Sequence, residues 1–491
     1  MNAPLNRTVC RSARLARDAR FDGKFFIGVH STGIYCRPIC PAPSPKESNV
    51  EYYPSAAAAA EAGLRPCLRC RPECSPGTPA WVGSSVTVSR ALRLIAEGAL
   101  EEDGVDTLAE RLGIGSRHLR RLFLEHLGAT PIAVAQTRRL LAAKRLMDET
   151  ALPLTEIAIA SGFGSIRRFN SAFLETWGRC PRDMRRERGQ MAAAGSCTLE
   201  LRYRPPFDWH ALLGFLAARA IGGVEHVEGD TYRRTIVTAA GQGWIEVRPA
   251  CAGALKLAVH CPDSSDLLAI ASRARRLFDL DADPLAIATH LKTDPLLAPL
   301  VKRHPGLRVP GAWDGFELGV RTILGQQVSV AGASTLAARL VQKLGHPVPF
   351  EVAGLTHTFP SAGEVADADL AIGMPAARAE AIRAFARAAV RGGLTFDAAV
   401  DSQTFQERLC ALPGVGPWTA QYIAMRALSD PDAFPAGDLV LRRACAGRAA
   451  ELWQPWRAYA AMQIWQGVKD GKLNVLHVDG KPRRKAAAGG G

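Results

Sequence analysis

Four cysteines in two close pairs constrain this chain more tightly than any other feature. Cys36 and Cys40 form a C-x3-C pair, and Cys67 and Cys70 form a C-x2-C pair after 26 intervening residues. Two such pairs on separate turns can place four sulfurs tetrahedrally around one zinc ion, a far stronger signal than a lone CxxC. Any fold of the first segment must therefore bring the two pairs together. Cys74 falls just outside the pattern and is expected to be a bystander. No apolar run approaches the roughly 18 residues that a membrane helix needs. Residues 1–20 are polar and basic, without the apolar core of a signal peptide. The expectation is a cytoplasmic protein with no membrane partner, whose twelve cysteines are thiols or metal ligands and not a disulfide framework.

At 491 residues the chain is too long for one core, and roughly 150 residues per domain suggests three or four. Lys and Arg number 61 against 47 Asp and Glu, net +14, which favours polyanionic partners and nucleic acid first. Residues 1–197 hold 28 basic and 19 acidic side chains, the remainder 33 and 28, so the surplus leans toward the amino-terminal part. Three stretches punctuate the sequence: Ser75–Pro79, the Ala/Gly-rich Arg188–Ser196, and His304-Pro305-Gly306. Thr198–His260 reads as short strands and turns, followed by a helix over Leu267–Leu277. Beyond the third stretch the pattern is almost wholly helical. The tail, Lys481–Gly491, is basic and then Ala/Gly-rich, and is expected to be disordered.

Residues 107–131 and 155–181 look like two copies of one unit. Gly113, Gly115 and Ser116 match Gly162, Gly164 and Ser165 at an offset of 49, and Phe123, Gly128 and Pro131 match Phe173, Gly178 and Pro181 at an offset of 50. Each copy reads as a short helix, a glycine turn, a Ser N-cap and a longer helix with an apolar i, i+4 pair, Leu119 with Phe123 and Phe169 with Phe173. A long helix around Gln136–Met147 would connect them. Arg117, His118, Arg120 and Arg121 decorate one second helix, and Arg167, Arg168 and Asn170 the other. Arg reads guanine edges and phosphates, and Asn can read adenine, in the major groove. The pattern resembles the AraC-type DNA-binding domain, which carries two helix-turn-helix motifs.

Residues 31–40 (Ser-Thr-Gly-Ile-Tyr-Cys-Arg-Pro-Ile-Cys) and 65–70 (Arg-Pro-Cys-Leu-Arg-Cys) resemble the amino-terminal domain of the Ada family. The resemblance implies that a zinc-bound thiolate, here Cys36, accepts a methyl group from a DNA methylphosphotriester. Zinc keeps a sulfur deprotonated at neutral pH, and the thiolate is the nucleophile. Arg37, Arg65, Arg69 and Arg71 lie close by as expected phosphate contacts. In that family the AraC-type domain follows the zinc module directly, as it does here.

Leu412-Pro413-Gly414-Val415-Gly416-Pro417-Trp418-Thr419-Ala420 reads as a helix-hairpin-helix. Gly414 and Gly416 permit a tight turn whose backbone N–H groups, at a helix N-terminus, can grip a DNA phosphate. Twenty-two residues past Gly416 stands Asp438, at an expected helix cap that also aims a carboxylate at the groove beside the hairpin. The hairpin paired with a downstream Asp resembles the helix-hairpin-helix glycosylase superfamily. Within it, Thr198 to about Gly471 resembles the AlkA family of alkyladenine glycosylases, with further matching stretches at Trp209–Ala220, Pro310–Val330 and Pro455–Trp465. The resemblance implies base flipping, an aromatic pocket of Trp418, Tyr422 and Trp465, and Asp438 as the catalytic carboxylate. Bifunctional members carry a Lys where this chain has Trp418, so no Schiff base and no strand cleavage are expected. Gln327 stands where the family places an apolar wedge.

The fold class expected is multidomain: a small α/β zinc domain (1–77), an all-α double helix-turn-helix (84–190), an α+β domain (197–306), an all-α helix-hairpin-helix glycosylase domain (307–480) and the tail (481–491). One zinc ion is the cofactor, and double-stranded DNA, alkylated or promoter, is the partner. An activator role would add RNA polymerase, and the chain is expected to be a monomer. The alternative is a damage-sensing activator whose glycosylase half only binds DNA. A nonenzymatic chromatin-like scaffold fits the charge but leaves Cys36 and Asp438 unexplained.

Overall fold

The first segment builds a four-stranded sheet from β1 (Phe26–Val29), β2 (Ile34–Cys36), β3 (Val50–Tyr53) and β4 (Arg65–Pro66), in the order β3-β1-β2-β4. The computed structural model describes residues 5–77, 86–100, 104–186, 197–251, 253–263, 266–396, 401–445 and 449–473. The expected tail 481–491, the stretch Arg188–Ser196 and the end of the Ser75–Pro79 stretch lie outside the described residues. The zinc module includes the basic amino-terminal stretch. Asn6 caps the helix Arg7–Leu15, which buries Cys10 and Ala13 and sets Arg14 against Glu47 at 2.6 Å.

The two helix-turn-helix units pair Val105–Arg111 with Ser116–Leu127, and Leu154–Ala160 with Ile166–Trp177. The helix Pro131–Glu149 joins them. Gly113 and Gly162 take φ of +71° and +78° in the two turns, the left-handed conformation that favours glycine. The helix starts correct the expected caps. Ser165 does cap the second copy, accepting from the Arg168 N–H at 3.2 Å, but Ser116 is already inside its helix, whose N-cap is Gly115. Gly115 is thus equivalent to Ser165, at an offset of 50, and the inserted residue lies in the turn itself.

The two copies differ in what covers them. Leu119, Phe123 and Leu127 pack into a core of the first unit with Val88, Leu94 and Leu108. Phe169, Phe173 and Trp177 share one core with the next segment of chain. That segment is an antiparallel sheet of β5 (Cys197–Arg202), β6 (Glu225–Glu228), β7 (Thr231–Thr238), β8 (Gly241–Pro249) and β9 (Ala254–His260), in the order β5-β9-β8-β7-β6. Alternate residues Leu199, Leu201, Ile245, Val247, Leu255, Leu257 and Val259 face this core, the period of two that a half-covered sheet demands. The helix Leu267–Leu277 lies where its apolar spacing puts it.

The last body is helical around one large core, with an added hairpin of β10 (Pro347–Val352) and β11 (Leu355–His357). Among the described residues no helix is long and apolar enough to cross a membrane.

The zinc module is tied to the later chain by buried polar contacts. Arg204, fully buried, donates to the carbonyls of Asp22 and Asp281 at 2.9 Å each and to that of Gly77. Lys24 meets the Asp283 carboxylate at 2.5 Å, and Ser55 donates to the Leu127 carbonyl at 2.6 Å.

Candidate functional site

The sheet explains how distant cysteines meet. β2 and β4 run parallel with Tyr35 opposite Pro66, so the next residue on each strand, Cys36 and Cys67, emerge side by side. Cys40 and Cys70 follow on tight turns, with Cys40 N–H donating to the Arg37 carbonyl at 3.1 Å and Arg71 N–H to the Cys67 carbonyl at 3.2 Å. All four sulfurs lie within 4.8 Å of one another. Ligands at a Zn–S distance of 2.3 Å in a tetrahedron would stand about 3.8 Å apart, so the set fits one zinc ion. The thiols share protons: the Cys36 hydrogen bond lowers Cys40 to about 7, and the same thiol is the main cause that draws Cys67 down. The Arg37 N–H donates to the Cys70 sulfur at 3.3 Å, a bond suited to a thiolate acceptor. Cys74 is buried outside the cluster, near Glu149.

Cys67 and Cys70 are buried, while Cys36 is partly exposed and lines a cavity of about 540 Å³ with Arg65, Arg69, Ser31 and Thr32. Two of the four arginines expected to meet phosphate do not face outward. Arg37 is buried, its guanidinium paired with Asp22 through Nε at 2.8 Å and through Nη2. Arg71 is engaged by Glu73 and by Asp148 and Glu149 of the connecting helix.

On the second helices, Arg117, Arg120, Arg121, Arg167, Arg168 and Asn170 are all exposed, while Leu119 and Phe169 are buried.

The hairpin runs from the helix Ser402–Cys410 to the helix Pro417–Ala427. Gly414 has φ +74° and a Cβ there would lie 2.8 Å from Ala381 Cβ, so the turn requires glycine. Gly416, exposed, is the N-cap of the second helix and has no side chain to occupy its free N–H groups. From this helix Trp418 and Tyr422 stack at 5.6 Å and 15°. Trp465, from the helix Arg457–Lys469, lies 6.3 Å from Tyr422.

Asp438 caps the helix Leu439–Ala444, its Oδ1 accepting from the N–H groups of Val440 and Leu441 at 2.9 and 3.0 Å. The same oxygen accepts the Trp465 indole N–H at 3.1 Å. Trp418, Tyr422, Trp465 and Asp438 therefore line one cavity of about 510 Å³. Sequence spacing missed Phe215, Arg219, Arg321 and Arg426, which also line it. Phe215 and Arg219 lie within the matching stretch 209–220, yet nothing local in that apolar helix says which face reaches a site some two hundred residues away.

Gln327 is exposed with φ +55°, at the cavity rim beside Val328 and Ser329. Its neighbour Gln326 fixes that loop, donating to the Gly414 carbonyl at 2.9 Å and to Thr419 Oγ1 at 3.0 Å. Arg378 donates to the Gln326 carbonyl at 2.6 Å.

Comparison with known proteins finds four family models along the chain. Residues 9–73 match the model for the metal binding domain of Ada, and 108–187 a helix-turn-helix domain. Residues 198–314 match the AlkA N-terminal domain, and 320–455 the HhH-GPD superfamily of base excision DNA repair proteins. Escherichia coli DNA-3-methyladenine glycosylase 2 is 37% identical over 280 residues, covering 54% of this chain and 95% of that protein. The Bacillus subtilis bifunctional transcriptional activator/DNA repair enzyme AdaA is 31% identical over 169 residues, covering 34% of this chain and 78% of that protein. A probable bifunctional transcriptional activator/DNA repair enzyme AlkA of Mycobacterium tuberculosis is 44% identical over 473 residues, 93% of this chain and 95% of the relative. With four sulfurs gathered for zinc at one end and an aromatic cavity with its carboxylate at the other, the chain belongs to the family of bifunctional transcriptional activator/DNA repair proteins that join an Ada-type half to an AlkA-type half.

Proposed function

We propose that this protein excises alkylated purines of the 3-methyladenine type from DNA as a monofunctional glycosylase. It also removes methyl groups from DNA methylphosphotriesters onto Cys36, and that methylation turns it toward promoter binding. The observation that carries the first activity is the convergence of Asp438 with Trp418, Tyr422 and Trp465 on one cavity beside the hairpin. N-alkylation gives a purine a positive charge and makes it a better leaving group. Flipped out of the duplex, such a base stacks on electron-rich rings that favour a cation. As the bond to C1′ breaks, Asp438 stabilises the positive charge growing on the sugar and orients the attacking water. Oδ1 is held by three donors, which leaves Oδ2 free of described protein donors and directed to this work. Gly414 and Gly416 grip the backbone phosphate, and Gln327, pinned through Gln326, enters the vacated stack.

For the second activity, Cys36, Cys40, Cys67 and Cys70 hold zinc, which keeps the Cys36 sulfur a thiolate at neutral pH. Cys36 attacks the methyl carbon as the carbon–oxygen bond breaks, the phosphodiester leaving with its negative charge restored. Each molecule acts once. Arg65 and Arg69, at the cavity wall, suit the phosphate backbone. Arg117, Arg120, Arg121, Arg167, Arg168 and Asn170 then read promoter DNA, bringing RNA polymerase to it. The protein works as a cytoplasmic monomer.

One incubation tests both activities. Duplex DNA treated with a methylating agent should yield free alkylpurine, abasic sites on intact strands, and one methyl group on the Cys36 peptide by mass spectrometry. Intact bases with a methylated Cys36 would favour the rival reading, a damage-sensing activator whose carboxy-terminal half only docks on DNA.

A further inference from the structure

The aromatic cavity carries a charge pattern that a cationic base does not explain. Four cationic side chains, Arg219, Arg321, Arg426 and Lys469, line it against one carboxylate, Asp438. Arg321 is matched by Glu225 at 2.9 Å and Glu317 at 3.1 Å. Arg426 is not. It is buried, and among the described residues its hydrogen bonds go to the Pro310 and Gly311 carbonyls at 2.8 and 2.9 Å and to the Tyr422 hydroxyl at 3.3 Å. Arg219 also has no carboxylate among the described residues. Its guanidinium carbon lies 3.7 Å from the Phe215 ring centroid, with that of Arg426 5.1 Å from the same ring. Phe215 is thus already engaged by protein cations and offers little to a cationic ligand. Desolvation raises the pKa of the partly buried Tyr422 phenol, but Arg426, Arg219 and Arg321 outweigh it and leave it lowered.

We infer that Arg219 is a specificity-determining residue that favours neutral, carbonyl-bearing bases over cationic ones by donating to the base as it leaves. The inference rests on the base-excision reading. When the C1′–N9 bond of an N-alkylated cationic purine breaks, its electron pair goes to the ring and the base departs neutral. When the same bond of a neutral purine breaks, the base departs as an anion and takes up a proton afterwards. In both cases water adds to C1′ and gives up a proton. Only the second course develops negative charge on the base, and a guanidinium at the cavity wall stabilises that charge in the transition state. Toward a cationic base the same guanidinium is repulsive. Arg219 is suited to the task because the Phe215 ring supports its guanidinium and no carboxylate among the described residues neutralises it.

Single-turnover base release by the full chain tests this on two otherwise identical duplexes. One carries hypoxanthine, a neutral oxo-purine, and the other 7-methylguanine, a cation. Arg219→Gln should lower the hypoxanthine to 7-methylguanine rate ratio by about tenfold or more. Arg219→Met, which keeps the stem on Phe215, is the second neutral variant, and Arg219→Lys, which keeps the charge, should hold the ratio within about threefold of the wild type. A ratio unmoved in both neutral variants, the two rates falling together, overturns the inference and makes Arg219 a packing residue. Wild-type release of 7-methylguanine without any hypoxanthine overturns it while leaving base excision standing. Release of neither base overturns both.

Discussion

Trp465 donates its indole N–H to Oδ1 of Asp438 at 3.1 Å, the same oxygen that caps the helix Leu439–Ala444. The carboxylate is therefore oriented from two sides, by its own helix and by a ring that also lines the aromatic cavity. Trp465→Phe keeps the aromatic face and deletes the donor. Loss of one hydrogen bond to a charged group is worth about 1.5 kcal/mol or more, so single-turnover base release should fall about tenfold with little change in DNA affinity. An unchanged rate would show that the helix N-terminus alone fixes the carboxylate.

The zinc site gives a second prediction. Cys67→Ala removes a buried sulfur from a cluster whose members lie within 4.8 Å. Purified wild type should carry one zinc per chain and the variant close to none, with the zinc module destabilised because binding free energy is folding free energy there. Equal metal content in the two proteins would refute the four-sulfur assignment.

Arg204 joins the zinc module to the α+β segment through the carbonyls of Asp22, Gly77 and Asp281. Arg204→Ala leaves three carbonyls short of a donor, that of Asp22 buried and those of Gly77 and Asp281 partly buried, and the buried one alone costs about 1 kcal/mol or more. Denaturation should begin at lower urea, and proteases should cut more readily between the modules. A change below about 0.5 kcal/mol, the scale of an ordinary surface substitution, would show that the apolar contacts hold the junction without it.

Methylation of Cys36 converts one of four thiolates to a neutral thioether and removes one negative charge that opposes DNA phosphate. At a partly screened distance this contributes on the order of 1 kcal/mol or more, enough to raise affinity for promoter DNA roughly fivefold to tenfold. Titration of methylated and unmethylated protein at matched salt reads it directly. Equal affinities, with the methyl group confirmed on Cys36, would remove the electrostatic switch.

What the sequence made legible was local. The two cysteine spacings, the duplicated turn glycines, the Gly414–Gly416 hairpin and the capping Asp438 each encode a geometry within a few residues. Contacts decided by packing over long separations stayed hidden. The burial of Arg37 depends on Asp22 being brought beside it, and the second helix-turn-helix shares a core with β5 although the chain changes character between them. The cap at Gly115 was misplaced because a Ser one position later carries the same local signal. Arg219, in the turn after the helix Trp209–Ala217, and Arg426 reach the aromatic cavity from segments about two hundred residues apart, and no spacing rule connects them.

The account stands most directly on the charge of Asp438. Asn caps a helix as well as Asp does, so Asp438→Asn should keep the fold and the affinity for alkylated DNA while losing the negative charge beside the sugar. The measurement is single-turnover release of 3-methyladenine from a methylated duplex by the wild type and by this variant. A loss of about a hundredfold or more is predicted, with wild-type products being abasic sites on strands that stay intact until alkali is added. Equal release by the two proteins would contradict the catalytic role of Asp438, and nicking without alkali would point instead to an amine nucleophile such as Lys469 at the cavity wall.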